Sequence, residues 1–367
     1  MMEKGQAIVL AGEARKRGRD QAEIAPERRE AVHRAILSRI APHRDLLAAP
    51  ERRRLLGEMV SLAERHVPLA FAEAQGVAEG WGIAFDDLMA FLHLPVFLDM
   101  EEARDVIIDG CSSFIAHDAG GRPFMAKNRD YRGEHAALQT ITLHRDPAIA
   151  GGAMLSVGSL GAVSAFSSGL NATGFALTDT QVPTADHGAG VCRYLLMSEL
   201  LATCRSVEDG LALIARMPHA GGGTLILGDA DGAGAAIELG HRRQNVERLV
   251  PGGYLARTNH HLSEGLAGAT LMRAGEPMGG SSQGRLSRLG QEFTDAQPIR
   301  DPIAFARRLM ASHDETGDAS GLVSGLCRHG QDGDSETISA VAIAPREKAL
   351  YFCPGRPCTG KWREYLV

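Results

Sequence analysis

Six cysteines lie at positions 111, 192, 204, 327, 353 and 358, with no CxxC pair and well below the density of a disulfide scaffold. Cys111 is the one whose surroundings leave room for a substrate. It follows Asp109-Gly110 and precedes Ser112-Ser113, small and polar neighbours that let a carbonyl approach the sulfur. A free cysteine ordinarily packs as a small hydrophobe, whereas an ionised thiol in such a setting is a nucleophile. Two rival chemistries use other residues. A papain-like hydrolase would pair Cys111 with a distant His219, His260 or His261, yet nothing beside Cys111 resembles a papain-type context. A metallohydrolase would draw on His260, His261, Asp229 and Asp231. No HxxxH or HxH pair occurs, and adjacent histidines on a strand point to opposite faces.

The pentapeptide Asp109-Gly110-Cys111-Ser112-Ser113, followed by Lys127-Asn128-Arg129-Asp130, resembles the isopenicillin N acyltransferase family. Its relatives are the choloylglycine hydrolases and acid ceramidase, all N-terminal nucleophile (Ntn) hydrolases. The resemblance implies a precursor that cuts itself between Gly110 and Cys111, which frees Cys111 as a chain start. The thiol is then the nucleophile, and the new α-amino group, with a reference pKa of about 8, is the general base.

The same resemblance assigns the other roles. Asp130 holds the new amine. Lys127 stands where choloylglycine hydrolases carry an arginine, so it keeps the charge and loses the planar fork; Arg129 is a second cation in that tetrapeptide, next to Asn128. Arg257-Thr258-Asn259-His260-His261 resembles the segment whose Asn amide donates into the oxyanion hole, which selects Asn259. Gly280-Ser281-Ser282-Gln283-Gly284-Arg285-Leu286-Ser287-Arg288 resembles a Ser-Ser-x-x-Arg-x-x-Arg stretch, which selects Arg285 to orient the cysteine and balance Asp130, with Arg288 as the fallback. Thr180 and Gln181 fall where relatives place a second oxyanion or substrate group. The implied substrate is a small-molecule acyl amide or acyl thioester, hydrolysed or passed to an amine through an acyl-Cys111 enzyme, with no cofactor and no metal. The alternative to catalysis is an unprocessed binding protein of the same fold.

These residues need elements to hold them. From about Pro26 to Met100, apolar residues recur at spacings near three and four, which predicts amphipathic helices. After Asp105 short β-rich runs bounded by Gly and Asp take over: Val106–Ile108, Ser113–Ala116, Pro123–Ala126, Leu138–Leu143, Ala153–Val157, Val163–Ser167 and Gly174–Thr178. Two helices follow, Val191–Cys204 and one capped by Ser206 with Asp209 three residues on. Strands resume at Thr224–Leu227, Ala235–Glu238, Asn245–Val250 and Tyr254–Ala256. A helix opens at Asp301-Pro302, and the chain ends in the strands Thr337–Ala344 and Ala349–Phe352. Helices, strands, a helical pair and strands again predict a layered α+β fold of two stacked antiparallel sheets with helices outside. The resemblance narrows this to the four-layer αββα Ntn sandwich. Its division would be a mostly helical α-chain or pro-segment, residues 1–110, and an Ntn β-chain, residues 111–367, both from one precursor.

With 367 residues, 44% of them hydrophobic, the chain can bury a sizeable core. The 39 Lys+Arg against 45 Asp+Glu give a net charge of −6, and the Arg-rich patches at Arg15–Arg19, Arg28–Arg29 and Arg52–Arg54 are flanked by acids. That is no footprint for nucleic acid. No run of about 18 apolar residues occurs, and Met1–Leu10 is too short an apolar run for a secretory signal. The expectation is a soluble, cytoplasmic protein with no membrane partner, free to form a homo-oligomer.

Overall fold

The runs of alternating apolar residues pair into two sheets, and the two faces of each strand separate the layers. The computed structural model describes residues 2–101, 110–131, 133–271, 280–296, 298–313, 325–329 and 336–367. The N-terminal part holds strands β1 (Glu3–Lys4) and β2 (Ile8–Ala11), then helices α1 (Ala14–Ile24), α2 (Arg29–Ile40), α3 (Arg44–Ala48), α4 (Pro50–His66), α5 (Pro68–Trp81) and α6 (Phe85–Met100). Next come β3 (Gly110–His117), β4 (Pro123–Tyr131), β5 (Gln139–Arg145), β6 (Ala153–Ser159), β7 (Ser168–Asn171) and β8 (Ala176–Thr180). Helices α7 (Arg193–Thr203) and α8 (Val207–Ile214) precede β9 (Thr224–Gly228), β10 (Gly234–Leu239), β11 (Gln244–Arg248) and β12 (Tyr254–Arg257). The rest is α9 (Glu264–Ala267), α10 (Gly280–Asp295), α11 (Pro302–Met310), β13 (Glu336–Ala344), β14 (Ala349–Pro354) and β15 (Arg363–Leu366).

The first sheet has the order β1-β15-β14-β13-β4-β3-β12 and the second β11-β10-β9-β8-β7-β6-β5-β2. Between them, Ile115, Met125 and Val341 of the first meet Leu155, Leu170 and Ile226 of the second. Period two turns Phe114, Phe124 and Ala126 to the other face, under Phe293 of α10 and Phe305 of α11. Leu177, Leu225 and Ile237 on the outer face of the second sheet lie under α5 to α8. The layers therefore run helix, sheet, sheet, helix. Burying each of these Phe and Leu side chains contributes about 1.5–3 kcal/mol.

The expected order of helices and strands holds, with two corrections. Both sheets are mixed: β1 runs parallel to β15 and β2 parallel to β5, while the remaining pairs are antiparallel. These two short strands tie the first hundred residues into both sheets. Val163–Ser167 is not a strand. Its apolar residues are core beneath the helices, and its backbone is fixed by Ser198 Oγ accepting from Ala165 N and by Val157 O accepting from Ser167 N; the strand begins at Ser168. The run Val106–Ile108 and Asp109 lie outside the described residues. Both caps form as expected, with Asp209 N donating to Ser206 Oγ at 3.2 Å and Ala304 N to Asp301 Oδ1 at 3.0 Å.

Helix α1, which precedes the stretch read as helical from about Pro26, packs on α5 with backbones touching. A Cβ at Gly76 would stand 1.9 Å from Arg15 O, and one at Gly18 2.2 Å from Glu73 O. Glu73, on α5, is buried and accepts from Ser164 Oγ at 2.9 Å. Burial pushes its carboxyl up to about 7, against the opposing effects of Arg17 and Ser164. A raised acid stabilises the native state below its unfolded pKa and loses that contribution as pH rises through the folded value. Glu73→Gln should therefore remove on the order of 2 kcal/mol of pH dependence between about pH 4.5 and 7. Urea unfolding at pH 5 and pH 8 checks this: the variant should gain most at pH 8, and an unchanged difference between the two pH values would refute it.

Candidate active site

Cys111 is the second residue of β3 and is 6% exposed. In the β3–β4 register Gly110 faces Asp130, Cys111 faces Arg129 and Ser113 faces Lys127. Alternation sends Cys111, Ser113 and Ile115 toward the second sheet, and Ser112 and Phe114 toward α10. The contacts agree: Ser113 Oγ lies 2.7 Å from Thr178 Oγ1 of β8, while Ser112 Oγ accepts from Arg285 Nη1 of α10 at 2.9 Å.

Two expected residues converge on the backbone of Cys111. Its N–H donates to Asn259 Oδ1 at 3.0 Å, its carbonyl accepts from Arg285 Nη1 at 2.6 Å, and Arg285 Nη2 donates to Asn259 Oδ1 at 2.7 Å. Asn259, just past β12, is fixed by its own N–H to Ser282 Oγ at 2.8 Å and by Nδ2 to Gln181 O at 2.7 Å. Arg285 is 2% exposed, so these charge-assisted bonds form away from bulk water.

Asp130 is fully buried. Oδ1 accepts from Thr337 Oγ1 at 2.7 Å, and Oδ2 has no hydrogen-bond partner. Burial raises its pKa, with Arg285, Arg328 and Thr337 acting in opposition. Gly110 sits against this carboxylate: a Cβ there would stand 2.8 Å from Asp130 Oδ2 and 2.9 Å from Arg328 Nη1. The glycine answers to that close approach, which leaves no room for a Cβ.

On the inter-sheet side, Lys127 ion-pairs with Asp179 and donates to Ser167 O at 3.2 Å; Asp179 Oδ2 also accepts from Arg193 Nε at 2.7 Å. All three are buried. Burial alone would raise the Asp179 carboxyl, but Lys127 and Arg193 outweigh it and hold the pKa down. Burial also pushes the Cys111 thiol up; Lys127 opposes this, and Asp179 and Asp130 add to it. The buried sulfur is thus held as a thiol and needs a base to become a nucleophile.

The remaining expected residues divide. Arg129 Nη1 donates to Gln139 Oε1 at 3.1 Å and Ser159 Oγ at 3.2 Å, and its guanidinium stacks 5.0 Å from the Tyr131 ring. Gln181 joins through its carbonyl and through Oε1, which accepts from Arg193 Nη2 at 2.5 Å. Thr180 Oγ1, at the end of β8, is buried without a partner. Asn128 points away, its Nδ2 donating at 2.8 Å to both Met310 O and Leu326 O, so it ties α11 and the segment before β13 to the sheet. Arg288 pairs with Glu292 at 3.1 Å along α10, and among the described residues it is not bonded to the cluster. The sequence reading missed Asp179, Arg193 and Thr337 as partners; the one signal was Asp179 standing directly before Thr180-Gln181.

Among the described residues, none of the histidines proposed as thiol partners bonds Cys111. His219 Nε2 lies 3.0 Å from Ile214 O, His260 Nδ1 2.7 Å from Ser282 Oγ, and His261 Nε2 3.4 Å from Gly223 O.

The helix-sheet-sheet-helix sandwich is the layered fold of the Ntn hydrolases, which include amidohydrolases and acyltransferases. Residues 117–358 match the family described as acyl-coenzyme A:6-aminopenicillanic acid acyl-transferase, and the chain belongs to that family. No curated protein matches in sequence. Among solved structures, a variant of conjugated bile acid hydrolase from Clostridium perfringens is similar at TM-score 0.47 and 12% identity, over 70% of this chain and 97% of that one. An N-acylethanolamine-hydrolyzing acid amidase ortholog from Caenorhabditis elegans reaches TM-score 0.43 and 9% identity, over 64% and 93%. Penicillin V acylase from Agrobacterium tumefaciens reaches 0.42 and 13%, over 66% and 83%. Among the described residues no helix is long and apolar enough to cross a membrane.

Proposed function

We propose that this enzyme cuts itself between Gly110 and Cys111 and then hydrolyses or transfers the acyl group of a small-molecule amide or thioester through an acyl-Cys111 intermediate. The observation that carries the reading is Asp130 Oδ2, a buried carboxylate oxygen without a partner, set against the residue before the cysteine. A buried carboxylate with an open acceptor is costly. Cleavage would create an α-amine on Cys111 beside it, whose N–H can donate to that oxygen.

In maturation the Cys111 sulfur attacks the Gly110 carbonyl and displaces the Cys111 nitrogen, giving a thioester and a free α-amine. Water then hydrolyses the thioester and leaves the Gly110 carboxylate. In turnover the neutral α-amine takes the thiol proton as sulfur attacks the substrate carbonyl. The developing oxyanion is met by the Asn259 amide and the Thr180 hydroxyl, the leaving amine of an amide or the leaving thiol of a thioester departs with the proton, and water or an amine resolves the acyl-Cys111 thioester. Arg285 and Asn259 hold the Cys111 carbonyl and nitrogen, so severing the bond before Cys111 need not displace the sulfur.

Intact mass and N-terminal sequencing test this directly. The expected products are fragments of 110 and 257 residues (110 + 257 = 367), the second beginning at Cys111. A single uncut chain that hydrolyses acyl amides at full rate would sink the proposal. In a processed enzyme, Asn259→Ala should lower kcat by about 10²–10³-fold with KM little changed. Steady-state kinetics on a panel of acyl amides and thioesters checks that split, and a rise in KM alone would place Asn259 in substrate binding.

A further inference from the structure

On the far side of the sheet from the inter-sheet core, four potential metal ligands converge from three chain segments. His313 follows α11, Cys327 and His329 lie in the segment before β13, and Cys358 lies in the turn between β14 and β15. His313 Nε2 is 3.1 Å from His329 Nε2, which is 3.7 Å from Cys327 Sγ and 3.2 Å from Cys358 Sγ; all four ligand atoms lie within 4.8 Å of one another.

The geometry points to a structural zinc site formed by His313, Cys327, His329 and Cys358. With Zn–S of about 2.3 Å and Zn–N of about 2.0–2.1 Å, a tetrahedral ion spaces its ligand atoms about 3.3–3.8 Å apart, close to the separations found. Two thiolates with two imidazoles form a borderline-soft donor set that suits Zn²⁺ and not Mg²⁺ or Ca²⁺. Four protein ligands fill the tetrahedron, which makes the site structural and leaves no position for substrate. Binding releases the two thiol protons. Ligation by His329 Nε2 places that ring's proton on Nδ1, so Arg356, now 3.3 Å from Nδ1, yields the position to an acceptor such as Glu336, which it already binds at 2.5 Å.

The site would also fix a neighbour of the proposed catalytic cluster. Arg328 lies between two of the ligands; its N–H donates to Thr337 Oγ1 at 2.8 Å, and Thr337 Oγ1 donates to Asp130 Oδ1 at 2.7 Å. The ligand spacing, thirteen residues, then one, then twenty-eight, matches no compact zinc motif, which is why the sequence reading assigned no metal.

The test is metal stoichiometry on the full chain carrying Cys111→Ala, so that the proposed nucleophile cannot serve as a ligand and activity is not the readout. Protein purified with zinc and passed through a desalting column should retain one equivalent by mass spectrometry. Cobalt added to chelator-treated protein should give intense visible bands of tetrahedral Co²⁺ with thiolate charge transfer. His313→Ala, at an exposed position, and Cys358→Ser should each lose the retained zinc and those bands, while Cys204→Ser keeps both. Folding of each variant is checked by circular dichroism. Protein that retains no zinc, a weak octahedral cobalt spectrum, or a Cys327–Cys358 disulfide in zinc-purified material would overturn the site.

Discussion

Replacing Cys111 with Ala should leave a folded chain of 367 residues that neither divides nor turns over an acyl amide. The substitution removes one buried sulfur from a site otherwise held by backbone bonds to Asn259 and Arg285, so it costs roughly 1 kcal/mol of stability while removing the proposed nucleophile. Deleting a nucleophile from a concerted catalytic set costs up to about 10⁶ in kcat, and at least about 10⁴ is expected here. Both losses trace to one atom, because the sulfur that would attack Gly110 in maturation would also attack the substrate. Cys111→Ser separates them: a hydroxyl is a poorer nucleophile at neutral pH than a thiol, so processing should slow without changing its position. A denaturing gel with time, intact mass and circular dichroism together read the result. An Ala variant that is cut at Gly110 and active would remove Cys111 from both roles.

The residues that proved easiest to read in the sequence were those whose neighbours carry local chemistry. The Ser206 and Asp301 caps follow from short-range rules, and strands β3, β4, β9, β10, β13 and β14 from period-two runs. Long-range partners were harder. Asp179 and Arg193 look like an ordinary strand-end acid and a helix-start cation, and only the stacking of β8 beneath β4 makes them the counter-charges of Lys127. Val163–Ser167 misled because burial under α5 to α7 selects apolar residues whatever the backbone conformation. Strand β1 is too short to carry a period at all. Arg285 and Arg288 have the same residue type one helical turn apart; the packing of α10 on β3 buries the first, and the second stays along the helix with Glu292.

Asp179→Ala should be the most destabilising single change in this region. It removes the one carboxylate between two buried cations, Lys127 and Arg193, which are 2% and 6% exposed at their side chains. Breaking a buried ion pair from one side costs about 3–5 kcal/mol because the remaining charge is left uncompensated, a large share of a domain's typical 5–15 kcal/mol. Arg193 cannot shed its proton, so part of the cost is unavoidable. Adding Lys127→Met to Asp179→Ala should therefore recover part of the loss, giving a double-mutant coupling that a purely local packing defect would not show. The same substitution has a signed effect at the sulfur. Because Asp179 helps to hold the Cys111 thiol above its ordinary pKa, its removal should shift the pH profile of Cys111 alkylation, followed peptide by peptide, toward lower pH. Urea unfolding unchanged from the parent, or an alkylation profile that moves to higher pH, would show that the Lys127–Asp179–Arg193 cluster does not set the charge at the site.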